Sequence, residues 1–190
     1  MGLSPTDLLA LVKERVSSKI SDGTDYLRAA DGTASLDCPK EHLLSLLRYL
    51  RDDCEPRFRL LTSLTATDES LPQSSSPGSL SLRPGAKARF RVVYHMERVG
   101  EGNRPFHVRI IVWTGQKNQV PSCVSLFPGA DWLEREVFDM FGIVFDGHPD
   151  LKRILMPDGY NGFPLRKDFP LRGKDPSKLY REWNLLRLPD

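Results

Sequence analysis

The chain predicts an α+β fold: an antiparallel or mixed sheet packed by helices, followed by a long extended C-terminal tail. Three observations predict it. Three stretches between positions 58 and 113 alternate apolar and polar residues with the period of half-buried strands. Three others repeat apolar residues with the period of a helix. Beyond about position 146 the sequence is rich in proline, glycine and paired charge and has neither period. The division this suggests is a compact body over 1–145, with a Ser- and Pro-rich loop at 70–86 expected to be mobile, and a partner-binding tail over 146–190.

Taken in order, Ser4-Pro5-Thr6-Asp7 reads as a helix start, with Ser4 at the cap and Pro5 in the first turn, leading into Leu8, Leu11 and Val12 and a helix to Ser17. Asp25 to Cys38 holds two short extended pieces around Asp31-Gly32, a pair that favours a tight hairpin. Pro39 opens a second helix, in which Leu43, Leu46, Leu47 and Leu50 share a stripe that should lie on the sheet, with Glu41, Arg48 and Arg51 outside. The sheet itself comes from three runs. Their core sets are Phe58, Leu60, Thr62, Leu64 and Ala66; Ala88, Phe90, Val92, Tyr94 and Met96; and Phe106, Val108, Ile110 and Val112. Arg89, Arg91, His95, His107 and Arg109 fall on the opposite face, which should be basic and solvated. SLPQSSSPGSLSLRPGA joins the first two runs as a surface loop, and Gly100-Glu101-Gly102-Asn103 joins the next two as a hairpin.

Composition bounds the function classes. With 190 residues, 39% hydrophobic and 27% charged, the chain is long enough for one globular domain that buries roughly 70% of its unfolded surface. A net charge of +2 is too small to argue for nucleic acid across the whole molecule. From Lys152 to Asp190, however, nine basic and five acidic residues give +4, leaving the body at −2. No run approaches the roughly 18 apolar residues of a spanning helix. The first residues match neither a secretory signal nor a transit peptide, and Thr6 follows Gly2 in a context that reads as a helix cap and not as a lipidation site. Cys38, Cys54 and Cys123 are widely spaced, with no C-x-x-C pair, and read as free thiols in a reducing compartment. No dinucleotide fingerprint, P-loop, zincin motif or nucleophile elbow is present.

The stretch from 132 to 169 carries the most information. Asp131 can cap a helix and Glu134 follows three places later, a capping-box pattern. Leu133, Val137, Phe138, Met140 and Phe141 then form a broad apolar face, with Arg135, Glu136 and Asp139 on the other and Arg135 four residues from Asp139, close enough to pair. Glu134 projects at the edge of the apolar stripe; beyond capping, it could reach Arg153 or Arg166 and clamp tail to body. Gly142 stands where a C-cap glycine belongs, with Ile143 to supply the hydrophobic contact after it. Asp146-Gly147-His148-Pro149 makes a turn, and His148 reads as a hydrogen-bonded turn residue more readily than as an acid, base or metal ligand. In the tail, Pro149, Pro157, Pro164, Pro170 and Pro176 keep the chain extended. Leu151, Ile154, Leu155, Phe163, Leu165, Phe169 and Leu171 would fill pockets on a partner, while Arg153, Arg166, Lys167 and Arg172 meet its acidic groups; the alternative is a tail folded back wholly onto its own domain.

The ordered strings Glu134-Arg135-Glu136, Asp139-Met140-Phe141-Gly142-Ile143, Gly147-His148-Pro149-Asp150-Leu151-Lys152-Arg153-Ile154-Leu155 and Pro164-Leu165-Arg166-Lys167-Asp168-Phe169-Pro170-Leu171 resemble the 30 kDa subunit family of respiratory complex I, the C subunit of proton-translocating NADH:quinone oxidoreductase. One departure is Phe163, where the family more usually has histidine. The resemblance implies a non-catalytic structural subunit of the hydrophilic arm, in contact with subunits D, B and I, and chiefly with the first of these near the quinone end. It implies no cofactor in this chain, with FMN, iron-sulfur clusters and quinone held by partner subunits. It further implies a peripheral place on the cytoplasmic face of a bacterial inner membrane, or the matrix side of a mitochondrial one. Glu134, Arg135, Glu136, Asp139, Phe141, Gly142, His148, Pro149, Arg153, Arg166, Lys167, Asp168 and Phe169 would form the family motif and subunit interface. Two other readings stand beside it: the equivalent subunit of a membrane-bound hydrogenase or other dehydrogenase, and, more remotely, a nucleic-acid-binding module or a hydrolase using His148.

Overall fold

A computed structural model describes residues 25–28, 33–55, 57–71, 81–98, 106–115, 118–157, 159–171 and 173. The helix expected at 4–17, the turn at 100–103, positions 72–80 of the Ser- and Pro-rich loop and positions 174–190 lie outside the described residues. Strand β1 (Asp25–Arg28) pairs antiparallel with β2 (Ala34–Asp37), as the Asp31-Gly32 signal implied. After Pro39 the chain makes a 3-10 turn (Lys40–His42), helix α1 (Leu43–Arg48) and a π turn (Tyr49–Asp53). Leu43, Leu46, Leu47 and Leu50 are fully buried, so the leucine stripe does cover a core.

Strands β3 (Leu60–Asp68), β4 (Phe90–Arg98) and β5 (Phe106–Thr114) complete a five-stranded sheet of order β1-β2-β5-β4-β3. Only β2 and β5 run parallel in it, so the sheet is mixed. Strand β4 lies inside the sheet with both edges paired and one face covered, and Phe90, Val92, Tyr94 and Met96 on that face are all fully buried. A second, two-stranded parallel sheet joins β6 (Gln119–Pro121) to β7 (Val144–Asp146). Between them lies helix α2 (Ala130–Phe141), which packs over β3 and adds Val137, Met140 and Phe141 to the same core. Among the described residues no helix is long and apolar enough to cross a membrane.

Two expectations about the sheet are corrected. In β3, Leu61 pairs with Met96 and Ser63 with His95, making Thr62 the extra residue of a bulge. A one-residue slip exchanges faces, so Leu64 and Ala66 point inward as expected but Leu60 is 44% exposed, Thr62 is exposed, and Leu61 packs on the core instead. The second correction concerns the opposite face. It is neither wholly basic nor wholly wet: Ser35, Asp37, Val93 and Ile111 are buried there. Asp37 accepts from Trp113 Nε1 at 3.1 Å and pairs with Lys87 at 2.9 Å, and Arg91 lies 3.4 Å from Glu69. Alternating sign therefore neutralises the face.

Candidate functional site

Every α-helix leaves its last four carbonyls without partners from the helix itself, and the end of α2 shows where they go. The Phe138 carbonyl takes the N–H of Gly142 at 2.8 Å, with Gly142 in the left-handed region at φ 69°. The other three are met by the segment that returns from beyond β7. Arg153 Nη1 donates to the Asp139 carbonyl at 3.1 Å, the Leu165 N–H to that of Met140 at 3.2 Å, and Arg166 Nε to that of Phe141 at 2.5 Å. Two of the three donors are guanidinium groups, which the negative end of the helix dipole favours. A side chain at Gly142 would collide with Arg166 Nη2 and with the Phe163 ring, so glycine is required there for space as well as for φ.

Asp139 holds the start of the returning segment. Its Oδ2 accepts three successive backbone N–H groups, from Ile154, Leu155 and Met156, at 3.0, 2.7 and 2.8 Å. Its Oδ1 accepts from Arg153 Nη1 at 2.6 Å. Burial works against this charge, but the bonds from Met156, Arg153, Leu155 and Ile154 together outweigh it and keep the carboxyl below its usual range. Asp139 is fully buried, so its expected place on the outer face beside Arg135 is corrected. The reason is that the returning chain covers that side of the helix. Arg135 turns instead to the carbonyls of Lys152 and Arg153, at 3.2 and 3.4 Å, and stacks on Trp132.

The far end of the segment is anchored to β3. Asp68 Oδ2 accepts the Lys167 N–H at 3.0 Å and Arg89 at 2.9 Å, and Arg89 also reaches Asp168 at 2.9 Å. Burial pushes the Asp68 carboxyl up, yet Arg89, Ser70 and Lys167 outweigh it and bring its pKa down to about 2. Between the two anchors, guanidinium groups and rings alternate. Arg153 lies 5.1 Å from the Phe163 ring, Phe163 4.1 Å from Arg166, Arg166 5.3 Å from Phe90, and Phe90 4.8 Å from Arg89. Each such contact contributes about 0.5–2 kcal/mol, more where water is excluded. Phe163 thus sits in the middle of a stack that ties the segment to the sheet.

Glu134 does something else. It is fully buried and accepts from Ser122 Oγ and the Cys123 N–H, both at 2.7 Å. It therefore binds the loop that precedes the helix, and the expected clamp to Arg153 or Arg166 is corrected. Burial raises its pKa, because the donors it meets are neutral and do not offset the lost solvation. The capping box is corrected too: α2 begins at Ala130 after Gly129, without a side-chain cap, and Asp131 lies inside the first turn. His148 has its side chain buried, accepting the Asp150 N–H on Nδ1 at 3.1 Å. That assigns the proton to Nε2, which points at the Asp131 carbonyl at 3.2 Å, so both ring nitrogens are engaged in a turn, as read from the sequence. All three cysteines are free and buried, and burial followed by Glu41 and Asp37 pushes the Cys38 thiol up to about 12.

Of the residues singled out from sequence, Asp139, Phe141, Gly142, Arg153, Arg166, Lys167 and Asp168 meet at this one seam. Phe169 stacks against Tyr160 with centroids 6.4 Å apart, while Glu136 and Pro149 are exposed. Sequence reasoning missed Asp68 as an anchor; it stands 99 residues from Lys167, and no local pattern marks it. The tail expectation is narrowed: the described residues at 151–157 and 159–168 lie on their own body, with Leu151 and Met156 packed against its core. Leu155, Leu165 and Leu171 nevertheless remain 56%, 54% and 107% exposed, and Trp132 on α2 61%. No group of three or more His, Cys, Asp or Glu among the described residues is placed to hold a metal ion.

The model of the family described as respiratory-chain NADH dehydrogenase, 30 kDa subunit, matches residues 36–175. The chain is 41% identical over 169 residues to the first C subunit of NADH-quinone oxidoreductase from Rhizobium meliloti strain 1021, covering 83% of this chain and 76% of that protein. It is 44% identical over 172 residues to the C subunit of NADH-quinone oxidoreductase from Caulobacter sp. strain K31, covering 90% and 71%. Among solved structures it resembles the trypsin-resistant fragment (1-134) of Nqo5, with a TM-score of 0.55 and 26% identity over 76% of this chain and 99% of that one. A chain of an archaeal membrane-bound sulfane sulfur reductase shares the fold, with a TM-score of 0.60 at 19% identity over 94% of both chains.

Proposed function

Because the chain belongs to the family of the 30 kDa subunit of respiratory-chain NADH dehydrogenase, we propose that it is a structural subunit of the hydrophilic arm of complex I. It contributes assembly and rigidity and no chemistry of its own. In this reading it contacts subunits D, B and I of the arm, and chiefly the first of these near the quinone end. Its companions hold the FMN, the iron-sulfur clusters and the quinone through which electrons leave NADH, and the complex couples that flow to proton translocation. The arm stands on the cytoplasmic face of the bacterial inner membrane, or on the matrix side of a mitochondrial one.

One observation carries this reading. The returning segment is fastened at both ends by buried carboxylates, yet it holds Leu155 and Leu165 out into solvent, with Leu171 exposed just beyond the second anchor. A segment ordered only for its own stability would turn its leucines inward, as it does Phe163; one that presents them on a fixed backbone offers a surface to a companion. The nucleic-acid alternative loses ground, since Arg89 is paired with Asp68 and Asp168 and Arg91 with Glu69. The test is affinity purification of the tagged full chain from gently solubilised membranes. Companion subunits and NADH:quinone activity should come with it, a hydrogenase or other electron-input module in their place would favour the related-complex reading, and recovery of the chain alone would overturn both.

A further inference from the structure

Arg166 is held firmly and left incomplete. Phe163 and Phe90 flank its guanidinium, Nε is bonded to the Phe141 carbonyl, and Nη2 lies against Gly142. Neither Nη1 nor Nη2 donates to any described residue, and neither is among the fully buried unpaired atoms, so the group keeps donors to spare. The nearby carboxylates are occupied by Arg89, which bonds Asp68 and Asp168 at 2.9 Å each. Burial, followed by repulsion from Arg89, outweighs the attraction of those acids and holds the Arg166 pKa below its usual value, so the group is under-compensated where it stands. On either side in sequence, Leu165 is 54% exposed, Lys167 is exposed, and Leu171 is 107% exposed.

The geometry points to Arg166 as a preorganised receptor for one carboxylate of a companion polypeptide, an Asp or Glu set among apolar residues that cover Leu165 and Leu171. This deepens the subunit reading and rests on it. A guanidinium fork donates two parallel bonds to a carboxylate, and stacking between two rings means that little side-chain freedom is lost when it does. A phosphate would satisfy the fork but gain nothing from the leucines, which is why the surface fits a polypeptide and not a nucleic acid.

The experiment places a photo-reactive side chain at Leu165 or Leu171 of the tagged full chain in cells that assemble the complex, and identifies the crosslinked companion peptide. That peptide should contain an Asp or Glu. Arg166→Gln, or exchange of that companion acid for its amide, should each lower co-purification of companions about tenfold, and once either exchange is made the other should add nothing. If Arg166→Gln fails to fold, the companion exchange alone, against native Arg166, is still expected to cost the same tenfold. A peptide without an acid, two exchanges whose losses simply multiply, or a companion exchange without effect overturns the proposal. A wild-type chain that purifies without companions overturns the subunit reading itself, a result distinct from these.

Discussion

Helix α2 buries two carboxylates, Glu134 and Asp139, and they behave in opposite ways. Glu134 meets one hydroxyl and one backbone N–H, and burial raises its pKa. Asp139, equally closed to solvent but set less deep, meets a guanidinium and three backbone N–H groups, and its pKa is lowered. Burial sets the cost of the charge, while the number and charge of the donors decide whether the cost is met. The two also fasten different things: Glu134 ties the helix to the loop before it, and Asp139 ties it to the segment that comes after.

The largest effect should come from breaking the Asp139 end. Asp139→Ala leaves Arg153 half-buried without its acid and three N–H groups without an acceptor, and should cost about 3–5 kcal/mol in denaturant unfolding. Amide exchange at Ile154, Leu155 and Met156 should rise in step; unchanged exchange there would show that Asp139 is not the fastener. Gly142→Ala comes next, at about 2–3 kcal/mol, from left-handed backbone plus collision with Arg166 and Phe163. Thermal unfolding measures it, and a loss under about 0.5 kcal/mol would mean that the seam relaxes freely.

Acid titration sharpens the comparison. Asp68 has a folded pKa of about 2, below its unfolded value of about 3.9. Its stabilising contribution is therefore complete above the unfolded value and lost as pH falls through the folded one. After discounting for solvent screening this is about 1–2 kcal/mol, and Asp68→Asn should flatten stability between about pH 4 and pH 2. Glu134 has the opposite sign, because a raised folded pKa means that its charge opposes folding most at high pH and least below its unfolded value. Glu134→Gln should change stability by only about 1 kcal/mol, with the advantage of the variant over wild type growing as pH rises; a constant difference would refute a raised pKa. The smallest effect on the fold belongs to Trp132→Ala, within about 0.5 kcal/mol because the ring is mostly exposed. If the subunit reading holds, that same variant should reduce recovery of companions.

Local features were readable. The buried stripe of β4, the leucine stripe from Leu43 to Leu50, the antiparallel pairing of β1 with β2, the Gly142 cap and the His148 turn each depend on residues a few positions apart. The motif residues of the seam also stood out as a group. What could not be read was who pairs with whom. Arg153 was expected to reach Glu134 and instead reaches Asp139, because the helix turn on which the acid sits, and not its proximity to the apolar stripe, decides which side the returning chain covers. The bulge at Thr62 escaped for a related reason: it is a mismatch in length between β3 and β4, visible only once the two are paired.

Periodicity, turn chemistry and an ordered motif determined the class of fold, its strands and helices, and the family, because each is written in neighbouring residues and needs no partner to be recognised. Tertiary structure alone decided that the returning segment lies on its own domain, that Asp68 and Asp139 anchor it, and that Arg166 is left with donors to spare. Helix-end carbonyls and buried charges accept whatever donor the rest of the chain delivers to them, and which donor arrives depends on packing between residues far apart in sequence.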